Sequence, residues 1–127
     1  VSEQLARDNP QSGQAARDLL VSLERLATFE GRRPGGETKA LELQMRSLEI
    51  ALQLRRQNPA SFFYQRTAAV SFMQTYQRAQ AAGNQELIMR CREGCLSVLH
   101  PLVQVGVELD PPMRQFHAQL KASLDLR

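Results

Sequence analysis

The chain has 127 residues, 43% hydrophobic, 23% charged and 6% aromatic, which suits one domain with a single core and excludes a disordered or collagen-like chain. Its net charge of +3 comes from 16 basic and 13 acidic residues, all but Lys39 and Lys121 of the former being Arg, and neither half forms a basic arm. No apolar run approaches the ~18 residues of a membrane span, and two cysteines cannot staple a disulfide scaffold, so reduced, cytosolic thiols are expected.

Apolar residues recur at helical spacing almost throughout, with no sustained strand-like alternation. Breakers divide the chain at Asn9-Pro10, Pro34-Gly35-Gly36, Asn58-Pro59, Gly83-Asn84 and Asp110-Pro111-Pro112. Asn9 and Asn58 read as N-caps with Pro at the first helical position, and Asp110-Pro111 repeats that signal. The second helix is expected after Gly35-Gly36; Gly83 stops the third, and Asn84 caps the fourth. About five helices result.

Laid on itself with a shift of 49, the chain repeats. Gln4-Leu5-Ala6-Arg7-Asp8-Asn9-Pro10 falls on Gln53-Leu54-Arg55-Arg56-Gln57-Asn58-Pro59 with five of seven positions identical. Beyond the prolines, Ser12, Arg17, Val21 and Ser22 fall on Ser61, Arg66, Val70 and Ser71. Each unit reads as a helical hairpin. Residues 1–9 are then the end of a preceding helix, 10–57 a first hairpin, 58–106 a second and 110–127 a terminal capping helix, the whole cut from a longer array.

The stretch from Lys39 to Ile50, Lys-Ala-Leu-Glu-Leu-Gln-Met-Arg-Ser-Leu-Glu-Ile, resembles the second helix of a tetratricopeptide repeat, with small residues at Ala40 and Ser47. Ala15-Ala16-Arg17-Asp18-Leu19 and the Asn-Pro boundary are similar to a long-repeat bacterial form of that family, and heavy use of Arg, Ala, Leu and Gln points the same way. The likeness covers residues 1–82 well and 84–126 poorly. Gln44 stands where the family carries a large aromatic, and Tyr76 stands where Ala27 supplies its small first-helix residue. The resemblance implies an all-α stack of antiparallel hairpins in a right-handed superhelix.

Phosphate loops, dinucleotide fingerprints, zinc-protease and nucleophile-elbow motifs and EF-hand loops are all missing, so no catalytic residue, cofactor or metal site is expected. His100, before Pro101, and His117, on the polar side of the terminal helix, read as ordinary surface or partly buried imidazoles. Cys91 and Cys95, four apart, share one helix face; they read as small core hydrophobes, with a redox pair or half of a zinc site as the alternative.

Five of the seven aromatics lie on the acid-free third helix, whose apolar arc of Phe62, Ala69, Phe72, Met73, Tyr76 and Ala79 is expected to face its neighbours. The other arc carries Thr67, Ser71, Gln74 and Arg78, with Tyr64 at its edge; a shift of 49 places Asp18, Ser22, Arg25 and Phe29 on the first helix. In tetratricopeptide arrays first helices line the concave face, so the resemblance implies that these nine residues face one groove binding a peptide or a partner's helix. The family's Lys and Asn carboxylate-clamp set is not found. Arg32-Arg33 and Arg55-Arg56 complement helix C-termini; the alternative function is a nucleic-acid-binding helical repeat using these edges. The expectation is a bacterial, cytoplasmic protein-interaction scaffold or sensor segment, with no membrane span and, at Val1-Ser2-Glu3-Gln4, no signal-peptide pattern.

Overall fold

A computed structural model describes residues 10–125. They form five helices and no strand: α1 (Pro10–Arg32), α2 (Glu37–Gln57), α3 (Phe62–Ala82), α4 (Gln85–Gln104) and α5 (Pro111–Asp125). The helix end expected in residues 1–9, with its Asn9 cap, lies outside the described residues. Short connections turn each helix back on the one before, making α1–α2 and α3–α4 antiparallel hairpins. Helix α5 closes the row against α4 and also touches α3.

Local chemistry sets the boundaries. The Asn84 side chain accepts from the Leu87 N–H at 3.1 Å and caps α4 as expected. Helix α3 ends at Gly83, where the Gly83 and Asn84 N–H groups close back on the carbonyls of Gln80 and Ala79. Asn58 is a correction. It ends α2 rather than starting α3: its N–H bonds the Leu54 and Arg55 carbonyls, and its Nδ2 donates to the Leu54 carbonyl at 2.9 Å. Pro59 holds the preceding residue out of the helical region, so the chain turns before Ser61 caps α3 by accepting from the Tyr64 N–H. The α1–α2 turn depends on Gly36, since a Cβ there would stand 1.9 Å from the Glu30 carbonyl oxygen.

Packing is close because small residues sit at the crossings. Ala27, Ala40 and Ser47 are buried where α1 meets α2, beside Leu23 and Leu43. A larger core joins α2 to α5 through Leu48, Phe72, Leu99, Leu102, Met113 and Leu120. Each such side chain stabilises the fold by roughly 1.5–3 kcal/mol in area terms. Gly94 lets α4 approach the Phe72 ring, for a Cβ there would lie 2.4 Å from two ring carbons. Cys91 and Cys95 are fully buried in this core, and burial pushes their thiols up to about 11 and about 12; Arg90 counteracts slightly at Cys91, while Cys91 adds to the shift at Cys95.

Being packed on both sides, α3 buries a wider arc than its apolar residues mark. Ala68, Ser71 and Thr75 join Ala69, Phe72 and Ala79 in the interior, whereas Phe62, expected inside, is 45% exposed. The repeat is visible in burial as well. The buried α2 positions Ala40, Gln44, Ser47, Leu48 and Ala51 correspond to buried Cys91, Cys95, Val98, Leu99 and Leu102 of α4, displaced by 51 rather than 49. Two arginines 49 apart also act alike. Arg17 of α1 donates to the Tyr64 hydroxyl near the start of α3, and Arg66 of α3 donates to the Asp110 carboxylate just before α5.

Candidate functional site

Helices α1 and α3 run side by side over α2, and the space between them is hollowed. One hollow, of about 420 Å3, is lined by Glu24 and Thr28 of α1, Gln44 of α2, and Gln74, Gln77, Arg78 and Ala81 of α3. A second, of about 390 Å3, adjoins it and is lined by Val21, Glu24, Arg25, Thr28, Phe29 and Arg32 of α1 with Gln74 of α3. Helical spacing accounts for the α1 wall: Val21, Arg25, Phe29 and Arg32 recur every three or four residues along one face. Phe29 is 59% exposed, with Arg33 over its ring at 5.9 Å.

Of the nine residues expected to share a groove, Arg25, Phe29, Gln74 and Arg78 do line these hollows. Ser71 does not: it is 0% exposed, and its hydroxyl lies in the α3 packing surface without a hydrogen-bond partner. Its small size, not its polarity, suits the helix crossing. Tyr64 is a strap rather than an open contact, accepting from Arg17, whose guanidinium stands 5.8 Å from the ring, and meeting Phe63 edge-on. Asp18 accepts from Gln14 at 2.9 Å on the exposed side of α1. Thr67 bonds back to the Phe63 carbonyl, and Ser22 is exposed; neither lines a hollow.

The floor is polar. Gln44 is 2% exposed yet lies between two elements of the groove: its Nε2 donates to Gln74 Oε1 at 3.4 Å, and its Oε1 accepts from Arg78 Nε at 3.3 Å. Arg78 Nη2 donates to Thr28 Oγ1 at 3.4 Å. Glu24 is half-buried, and burial raises its carboxyl above the usual range, an effect opposed by the Ser47 hydroxyl donating at 3.4 Å. Sequence reasoning missed Val21, Arg32, Gln77 and Ala81 of the walls and, more consequentially, Glu24, Thr28 and Gln44. Thr28 could have been found one turn after Arg25 and Glu24 one turn before Thr28, and Gln44 by its polarity at a position whose neighbours are core.

The Arg pairs do not form one edge. Arg32 ends α1, whereas Arg55 and Arg56 end α2, which runs the other way for 21 residues, about 30 Å at ~1.5 Å each. Arg33 is paired with Glu30 at 3.4 Å and Arg56 donates to Gln53 at 2.6 Å. No group of three or more His, Cys, Asp or Glu side chains that could hold a metal gathers among the described residues, and no helix there is long and apolar enough to cross a membrane.

A second polar contact joins α4 to α5. His100 Nδ1 and His117 Nε2 face each other at 3.3 Å between nearly parallel rings. His117 was expected on a polar face but is 8% exposed, because α5 turns it against α4. Burial first, then His100 and Lys121, hold its imidazole below the ordinary range. Comparison of the chain with protein-family models, with curated proteins and with solved structures returns no match.

Proposed function

We propose that the chain is a protein-interaction segment, a tetratricopeptide-like scaffold or sensor portion of a larger bacterial, cytoplasmic protein, holding a peptide or a partner's helix across α1 and α3. The observation that carries this reading is the hollowed α1/α3 face, where one hollow sets polar side chains of three helices together and the adjoining one exposes Phe29 beside Arg25, Arg32 and Gln74. A flat apolar contact beside fixed hydrogen-bonding groups is the usual make-up of an interaction hot spot. The rigid hairpin stack supplies the surface, and no catalytic constellation is required of it. The test replaces Arg25 with Glu and Phe29 with Ala in one folded variant, then repeats affinity capture from the source cell. Loss of a partner that the parent protein retains supports the groove; unchanged recovery of every partner refutes its placement.

A further inference from the structure

Resting on the groove reading, we propose that the α1/α3 groove selects an acidic peptide segment and seats a side-chain carboxylate on Arg78. The guanidinium of Arg78 is positioned by neutral groups alone: Gln44 Oε1 takes Nε and Thr28 Oγ1 takes Nη2. An amide and a hydroxyl fix a guanidinium without neutralising it, so its charge is kept for an incoming anion. Among the described residues no carboxylate forms an ion pair with Arg78, Arg25 or Arg32. This differs from Arg33 and Arg66, each of which has its own acid.

The remaining nitrogen, Nη1, lies over Gly31 of α1. A Cβ at that position would come within 2.7 Å of it, so the missing side chain is what gives the guanidinium room to lie against α1 in this position. Arg25 and Arg32 are seven residues apart on α1, about 10 Å along the axis at ~1.5 Å per residue. On an extended peptide, side chains four positions apart share one face and stand about 14 Å apart at ~3.4 Å per residue, a difference that long Arg and Glu side chains take up. Exposed Phe29 lies between them. The occupant that fits is a segment with acids four positions apart and an apolar residue midway, all three on one face of the extended chain. Glu24 is the one carboxylate lining the hollows, and it opposes such a ligand.

The experiment is selection of a displayed library of random peptides of about twelve residues on the immobilised protein, followed by anisotropy measurements on the enriched peptides. Enrichment of Asp and Glu at the stated spacing is expected. Arg78→Gln, folded by circular dichroism, should weaken the selected peptide by roughly tenfold or more, the scale of one charge-assisted hydrogen bond. Gly31→Ala should weaken it with the charge unchanged, and Glu24→Gln should tighten it. Enriched peptides without acids, or affinity unchanged in Arg78→Gln, overturn the acidic-ligand inference while leaving the groove in place. No enrichment over uncoated support refutes the groove reading as well. Displacement of selected peptide by single-stranded RNA at lower concentration than by free peptide assigns the face to nucleic acid and overturns the inference.

Discussion

Gly94→Ala offers the sharpest test of how α3 and α4 meet. In the helix interior Ala is favoured over Gly by about 1 kcal/mol, so propensity alone makes the substitution stabilising. Packing opposes it. The new Cβ would stand 2.4 Å from the Phe72 Cε1 and Cζ atoms and 3.1 Å from Cδ1, whereas carbon atoms rest at about 3.5–4 Å. The ring or the helix must therefore yield by roughly 1 Å in a core where Phe72 is buried, and overpacking of this kind costs about 1–3 kcal/mol. The balance is a net loss of roughly 1 kcal/mol, or a fall of about 3–6 °C in Tm for a chain of this size. Gly13, in α1, is the control because a Cβ there meets nothing within 4 Å; Gly13→Ala should gain up to about 1 kcal/mol. Urea unfolding followed by far-UV circular dichroism separates the two. Adding Phe72→Leu to Gly94→Ala should recover part of the loss through a favourable coupling between the sites. Equal shifts of the same sign for the two glycines, or purely additive behaviour with Phe72→Leu, would refute the close approach.

The His100–His117 contact predicts a pH dependence. A depressed His117 pKa means that the unfolded chain binds the proton more readily, so the contact's stability is fully present above the ordinary value of 6.5 and is lost as pH falls through the depressed value. Denaturation midpoints measured across that range should fall on acidification, and His117→Gln should flatten the fall; an unchanged slope would remove the assignment. Cys91 and Cys95, buried with thiols raised to about 11 and about 12, should resist an aromatic disulfide reagent at about pH 8 in the native protein and both react after denaturation. Rapid native labelling would contradict their place in the core. Ser61→Ala and Asn84→Ala should each cost about 1 kcal/mol in unfolding experiments as lost N-caps, and a neutral Ser61→Ala would return the start of α3 to Asn58.

Helix number and the Gly83-Asn84 junction were legible because each rests on a signal a few residues long. Asn58-Pro59 was legible as a boundary but not in its sense. An Asn before Pro serves equally as the last residue of one helix or the first cap of another, and the nearby Ser61 decides between them. Ser71 was assigned to the wrong face because a helix wheel weighs polarity, while a helix packed on two sides selects for size. The shift of 49 holds between first helices but becomes 51 between second helices, so a single alignment could not carry the pattern of α2 onto α4. At the site, Arg25, Phe29, Gln74 and Arg78 followed from helical phase. The role of Gln44 did not, since its partners Gln74 and Arg78 are 30 and 34 residues away and on another helix.

The arginine ties have a mechanical consequence. Arg17–Tyr64 and Arg66–Asp110 both lie near the N-terminal ends of helices that run in the same direction, so they bind one margin of the stack, while toward the other margin the hollow is bridged by the Arg78–Thr28 hydrogen bond at 3.4 Å. Spreading the groove therefore gives way first at the long Arg78–Thr28 contact and turns α1 away from α3 about the Arg17–Tyr64 margin. Each tie joins only neighbouring first helices and is partly open to water, which keeps it weak. Each pair of neighbouring first helices therefore has its own tie, and opening the α1/α3 groove leaves the Arg66–Asp110 tie in place.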